Sequence, residues 1–340
     1  MKRFAVALCL TGTLISGNAL AWGDNGHRAI GAMADRLLVG THAQARIAAI
    51  LQPGETLELA SIWADCVKSK AGSFCGPQSQ EMRDYIEANP KHTEYHYTDV
   101  PVQDNAYRAG SAGTTDHDIV QLMQQAIAVL QGHDDSKVNP NRLTPRQALL
   151  LLAHLASDIH QPLHVGALYV DKNDHIVVPA SNAEIDNVNI FDLAGGNGLF
   201  FADPSYDRAP YPNQPIRKQN LHAFWDHSTV EMVFKRLGVS SPDAFAQKAL
   251  AGKLPAYALR GAVDSWPVQL ADDALALSRL AHAPLKLGER TSSVDSKGVT
   301  HFNWALTAPD DYRDFAEKLA ESQLVRGGYR FAAMLQQIWP

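Results

Sequence analysis

The sequence predicts an all-α, mainly helical fold with a small β and loop insertion near residues 166–219. Three observations carry that prediction. Apolar residues recur at helical spacing over most of the chain, and the helix-like stretches carry recognisable starts and stops. The one good strand signal, "HIVVP" at 175–179, falls inside a Gly/Asn/Pro-rich segment. At 340 residues the chain can bury a sizeable core, and no repeat, low-complexity tract or convincing linker divides it. Residues 22–340 therefore read as one domain.

The first element is a leader. Lys2 and Arg3 make a basic start, "FAVALCLTGTLISG" is the apolar stretch, and Ala19-Leu20-Ala21 is a small-x-small cleavage site. The apolar run is short for a membrane span, and no later run approaches about 18 apolar residues. The expectation is export, to a periplasm or the medium, with residues 1–21 removed between Ala21 and Trp22 and no membrane attachment. Cys9 lacks the small-residue context of a lipoprotein site.

Residues 27–51 follow with helical spacing and a break at Gly40. Residues 116–131 read as an amphipathic helix. The clearest case is "RLTPRQALLLLAHLASDIHQPLHVG" (142–166), where Thr144 can cap, Pro145 suits the first turn and Pro162 ends the run. Residues 220–238 begin at Asn220, a possible cap, and close at Gly238. Helices over 242–252, 267–282 and 310–338 complete the chain.

Charge and cysteines bound the function. Loss of Lys2 and Arg3 moves the formal net charge from −6 to −8. That excludes duplex binding through a broad basic surface, but not a local positive site made by metal ions. Cys66 and Cys75 remain after Cys9 leaves, and an even pair in an exported protein favours a disulfide over two free thiols.

Two helices carry candidate metal donors. His154 and Asp158 are four apart, so they share a face, and His222 and Asp226 repeat the spacing. His164 lies just past Pro162. A single such pair is more often a surface hydrogen bond. Two of them, one beside the wholly apolar "LLLLA", are not what a solvated face looks like, because unpaired polar groups there are costly. Imidazole and carboxylate donors together suit zinc.

The spacing His154-x3-Asp158-x5-His164, followed by His222-x3-Asp226, resembles the zinc-dependent single-strand nuclease family (nuclease S-one/P-one type) in an exported bacterial form. Members begin with Trp-Gly after leader removal and place a histidine five residues later, as Trp22, Gly23 and His27 do. "ASIWADCVK" matches the family's aspartate segment and points to Asp65. "YHYTDVP" matches its next histidine segment and points to His96. The match runs from Trp22 to "RGGYRFAAMLQQI". It implies a helical fold and three zinc ions per chain. Asp65, His96, His154 and Asp158 would hold the first, and His164, His222 and Asp226 the second. The third would take His27, a bridging Asp158, and the α-amine and carbonyl of Trp22, a chelate only a cleaved first residue offers.

The resemblance further implies hydrolysis of single-stranded DNA and RNA to 5′-phosphorylated products, with 3′-nucleotidase activity as a companion. An attacking hydroxide would lie between the first and third ions, and the cluster would carry about +2 despite the acidic chain. Asp65 and Lys68 would take catalytic roles, with Lys68 facing the phosphate. Tyr97 and Asp99 would form a base pocket, and Asn197 of a "GGN" loop would reach the base or a phosphate. The partners implied are nucleic acids and nucleotides, with no stable protein partner. Three features depart from the family pattern. There are 57 residues between His164 and His222, the gap from Asp65 to His96 is long, and His227 stands where a smaller polar residue is expected. The remaining histidines are read as structural or exposed.

Two other classes compete. Zinc-dependent phospholipase C shares the metal logic and also starts at Trp, but has a longer Trp-to-His gap and a Glu where Asp226 stands. A non-catalytic zinc-binding protein would have saturated ligand shells.

Overall fold

Helix α1 (Gly23–Leu37) begins one residue after the expected cleavage point, and a left-handed Gly40 separates it from α2 (His42–Ile50). The computed structural model describes residues 22–69, 75–209, 215–252, 258–294, 298 and 300–340. The leader lies outside the described residues.

Three short helices follow that the sequence reading did not resolve: α3 (Leu57–Ala60), α4 (Trp63–Lys68) and α5 (Gln80–Ala88). The first two are too short to display a helical period. The disulfide between Cys66 and Cys75, with Cα atoms 5.4 Å apart, ties α4 to the segment that leads into α5.

The Asp118 carboxylate caps α6 (Ile119–Leu130) by accepting from the Val120 and Gln121 amides. Helix α7 (Pro145–Asp158) starts at the expected Thr144, which forms a capping box with Gln147. It ends at Asp158 rather than at Pro162, which instead opens a 3-10 turn, Pro162–His164. Helix α7 is buried on every side, from Ala148 to Asp158, which explains why "LLLL" shows no polar face.

Asn220 caps α8 (Leu221–Ala223), and a wider π turn, Phe224–Ser228, leads into α9 (Thr229–Leu237), closed by left-handed Gly238. Helices α10 (Pro242–Leu250), α11 (Trp266–His282) and α12 (Tyr312–Ile338) sit close to the predicted bounds. Among the described residues, no helix is long and apolar enough to cross a membrane.

The β structure has three parts. Strands β1 (Val100–Pro101) and β2 (Gly166–Ala167) pair in parallel, Val100 opposite Gly166. Strand β3 (Tyr169–Asp171) lies between β4 (Ile176–Val177) and β5 (Ile190–Asp192), both antiparallel to it. Strand β6 (Leu199–Phe201) runs parallel to β8 (Thr300–Thr307), whose antiparallel partner is β7 (Lys286–Val294). The β7–β8 hairpin lies beyond the expected insertion. Its β7 strand is exposed along most of its length and so lacks the alternation that marks a half-buried strand.

Two hydrophobic clusters hold these parts. One packs α1, α6, α7 and α12 through residues such as Ile30, Met33, Leu152 and Phe331. The other fills the space under the sheets with Leu163, Phe191, Leu199, Trp225, Trp304 and Tyr312. The predicted metal donors lie on elements from both clusters, α1, α4 and α7 from the first and the stretches around Leu163, Leu221 and Trp225 from the second.

Candidate metal centre

Eight of the predicted donors come from seven places in the chain. His27 projects from α1, Asp65 from α4, His96 from the segment before β1, and His154 with Asp158 from the end of α7. His164 sits in the 3-10 turn, His222 in α8 and Asp226 in the π turn. None is more than 5% exposed. Their donor atoms form three groups, each with members within 4.8 Å of one another: Asp65, His96 and His154; His27, His154 and Asp158; His164, His222 and Asp226.

Asp158 is central to the first two groups. One of its oxygens lies 3.2 Å from His27 Nε2, and the other lies 3.2 Å from His96 Nδ1 and 3.0 Å from His154 Nε2. Asp65 stands 3.8 Å from His154 Nε2 and 3.9 Å from His27 Nε2. The His27 and His154 rings stack at 4.0 Å. In the third group, Asp226 lies 3.4 Å from His222 Nε2 and 3.8 Å from His164 Nε2.

The backbone orients three of the imidazoles. His154 Nδ1 donates to the Ser61 carbonyl at 2.7 Å, His164 Nδ1 to the His96 carbonyl at 2.8 Å, and His222 Nδ1 to the Gly195 carbonyl at 2.9 Å. A carbonyl can only accept, so each ring carries its proton on Nδ1 and turns a lone pair on Nε2 towards the group. Gly195 is itself constrained: its φ is 54°, and a Cβ there would sit 2.2 Å from the Leu163 carbonyl oxygen. Gln161 donates its amide to Asp226 Oδ1 at 2.7 Å. Ser61 and Gly195 act through backbone atoms that leave no side-chain signal. Gln161 is a buried amide beside a proline, which sequence alone does not distinguish.

Electrostatics favour the ligating forms of His96, His164, His222 and Asp158 and oppose them at His154 and Asp226. Burial pushes the His164 and His222 imidazoles down, and burial with the Lys68 ammonium does the same to His96, so these rings stay neutral. Burial alone would raise Asp158, yet its neighbours His154 and His164 hold it well below the carboxylate range. His154 is correspondingly raised: burial opposes this, but the Asp158 and Asp65 charges overcome it. Asp226 is lifted to about 7 by burial.

The fit to metal ions rests on orphaned atoms. His27 Nε2, Asp65 Oδ1, Asp158 Oδ1, His164 Nε2 and Asp226 Oδ2 are buried and accept or donate no hydrogen bond. Five such atoms in one region would be costly without a cation to satisfy them. A mixed imidazole and carboxylate set suits zinc or a similar divalent ion.

The other predicted residues lie around this centre. Trp22 is fully buried at the entry to α1. Lys68 Nζ is 3.8 Å from Asp65 Oδ1. Tyr97 exposes 37% of its surface beside His96, and Asp99 is buried behind it. Asn197 turns its side-chain amide back onto the Ala194 carbonyl at 2.9 Å. Among the unassigned histidines, His160 and His282 are buried, in keeping with a structural role.

The family model described as S1/P1 Nuclease matches residues 22–340. Nuclease S1 from Aspergillus oryzae (strain ATCC 42149 / RIB 40) is 24% identical to this chain over 331 residues, covering 93% of this chain and 91% of that protein.

Proposed function

The chain belongs to the S1/P1 nuclease family, and from that premise we propose that it is an exported, zinc-dependent nuclease for single-stranded DNA and RNA. It yields 5′-phosphorylated products and also acts as a 3′-nucleotidase. The observation that carries the reading is the convergence of eight buried His and Asp donors into three groups with unsatisfied lone pairs, within a nuclease-family chain. The family match argues against the phospholipase C alternative.

In this reading Asp65, His96, His154 and Asp158 hold one zinc ion, and His164, His222 and Asp226 a second. His27, Asp158 and the backbone amine and carbonyl of Trp22 hold the third. The start of the family match at residue 22 supports cleavage between Ala21 and Trp22. When bound, the ions supply Lewis acidity, lowering the pKa of water to near neutrality and stabilising charge on phosphorus and the leaving oxygen. The protein does the rest. Asp158 would serve both the first and the third site, with one oxygen beside His27 and the other beside His96 and His154. The three backbone carbonyls hold the imidazoles in their ligating tautomer. Lys68, anchored near Asp65, presents a positive charge to the phosphate as negative charge builds on it. Tyr97 offers a face on which an unstacked base can lie, which selects single strands over duplex. Asn197, in the loop whose Gly195 carbonyl orients His222, is the residue that reaches the base or a phosphate.

The test compares leader-free protein beginning at Trp22 with a form that retains Ala21. The first should cleave single-stranded DNA and RNA and leave lecithin intact, with three zinc ions per chain by elemental analysis. The second should lose one zinc ion and most activity. Lecithin cleavage without nucleic-acid cleavage would overturn the nuclease reading, and equal zinc content in the two forms would overturn the role of the Trp22 amine.

A further inference from the structure

We propose that a cavity between the end of α11 and the β6–β8–β7 sheet binds a small, mainly hydrocarbon molecule carrying one hydroxyl group, which donates to His282 Nε2. None of the residues lining this cavity is a predicted metal donor, so the site goes beyond the nuclease reading and does not depend on it.

The cavity has a volume of about 470 Å³, inside the range of about 300–1,000 Å³ typical of small-molecule sites. Its wall is mostly apolar. Val102 follows β1 and Leu168 separates β2 from β3, while Leu199, Leu287 and Leu306 come from β6, β7 and β8. Val102, Leu168, Leu199 and Leu306 are buried. Gln103, Ile176 and Ala283 also border the cavity and are exposed, so the mouth opens to solvent on their side.

His282, the last residue of α11, sets the chemistry of the occupant. The residue is only 5% exposed. Its Nδ1 donates to the Ser278 carbonyl, one turn back on the same helix, at 2.8 Å. A carbonyl can only accept, so Nδ1 holds the proton and Nε2 a lone pair. Burial pushes the imidazole down to about 4, which keeps it neutral. With Nδ1 turned back onto α11, Nε2 stands on the ring edge that leads away from the helix. It is buried and makes no hydrogen bond among the described residues. A buried acceptor without a donor is costly. A hydroxyl group satisfies it, whereas a carboxylate or phosphate brings only more acceptors.

The cation on the wall is already committed to the protein. Arg279 Nε donates to the Val102 carbonyl at 2.9 Å, and Nη2 donates to the Asp104 carbonyl at 2.5 Å. The Ser278 hydroxyl adds a third tie by donating to the Gly166 carbonyl at 3.1 Å. These bonds fasten α11 to β2 and to the chain after β1, so the wall keeps its shape before a ligand enters.

The experiment titrates zinc-loaded, leader-free protein with para-propylphenol and with para-propyltoluene, in which a methyl group replaces the hydroxyl. Binding is measured by calorimetry, and the imidazole nitrogen resonances of His282 are followed by NMR. Wild type should bind both probes, and only the phenol should shift the Nε2 resonance. In His282→Phe the ratio of phenol to propyltoluene affinity should fall about fivefold or more, because the phenol alone loses a partner. Ala283→Trp, at the exposed rim, should weaken both probes alike. Zinc content and the circular dichroism spectrum should hold in both variants. Failure of wild type to bind either probe overturns the proposal, as does a ratio unchanged by His282→Phe or binding unchanged by Ala283→Trp. An Nε2 resonance that stays fixed with phenol bound overturns it as well, even where His282→Phe fails to fold.

Discussion

Replacing Asp226 by asparagine should stabilise the metal-free protein while destabilising the zinc-loaded one. The size of the first effect follows from the site. Asp226 is fully buried, and its carboxyl is lifted from 3.8 to about 7, first by burial, with the Asp158 and Asp65 charges adding to it and His222 and the Gln161 amide opposing. A carboxyl whose folded pKa exceeds its unfolded value binds its proton more tightly when folded. Its penalty is therefore absent at low pH and grows as pH rises from 3.8 towards 7. At about 1.4 kcal/mol per pH unit, the penalty is roughly 4 kcal/mol at pH 8 and about 2 kcal/mol at pH 5. Asparagine does not titrate and keeps an oxygen for Gln161. Urea unfolding of the metal-free variant should thus show a gain over wild type of up to about 4 kcal/mol at pH 8, shrinking to about 2 kcal/mol at pH 5. With saturating zinc the order should reverse, because ligand binding to the folded state stabilises wild type and the variant lacks a donor. If the metal-free variant is no more stable than wild type at pH 8, the Asp226 carboxylate already has compensation, and the argument from unsatisfied donors fails.

Three further outcomes follow from contacts elsewhere. A Cβ at Gly23 would lie 2.3 Å from His227 Nδ1, so Gly23→Ala should cost about 1–3 kcal/mol in urea unfolding, and His227→Ala should recover part of it. No recovery in the double variant would place the clash elsewhere. Opening the Cys66–Cys75 loop, nine residues in span, by Cys75→Ser should lower stability by about 2–3 kcal/mol, and chemical denaturation would show whether the loop is already held by its neighbours. Thr144→Ala removes one half of the α7 capping box. It should cost about 1 kcal/mol of unfolding free energy and leave zinc content unchanged; loss of zinc would mean that the end of α7 shifts when its start is loosened.

Much of the helical frame was legible because its signals are local. Thr144, Pro145, Asn220 and Gly238 each act within a turn of their own position, and each sits where its chemistry predicts. The π turn at Phe224–Ser228 was not legible. Its extra residue is accommodated without a breaker, and the four-residue step from His222 to Asp226 looks the same in either winding. The parallel pairing of β6 with β8 joins segments about a hundred residues apart, and no local pattern announces that. The disulfide was legible from the count of cysteines, since two in an exported chain have only each other. The resemblance supplied the donors and their division into three groups, but not every shared member. His154 shares a group with His27 as well as with Asp65 because the two imidazoles stack, a contact between α1 and α7 that only tertiary packing creates.

The long segment between His164 and His222 is best understood through what it holds. Its Gly195 carbonyl fixes the His222 ring, and a side chain at Gly195 would strike the Leu163 carbonyl, one residue before His164. His164 in turn is held by the His96 carbonyl, and His154 by Ser61, four residues before Asp65. Each of these three imidazoles is thus oriented by the backbone of a segment that carries or adjoins another predicted donor. A displacement of one segment then turns a neighbouring imbalance into a misaligned lone pair, so the groups should assemble together rather than one by one. That arrangement suits a site in which separate ions must act on a single phosphate. It also explains why a segment that looks like an insertion in sequence is joined to the centre at its most constrained residue.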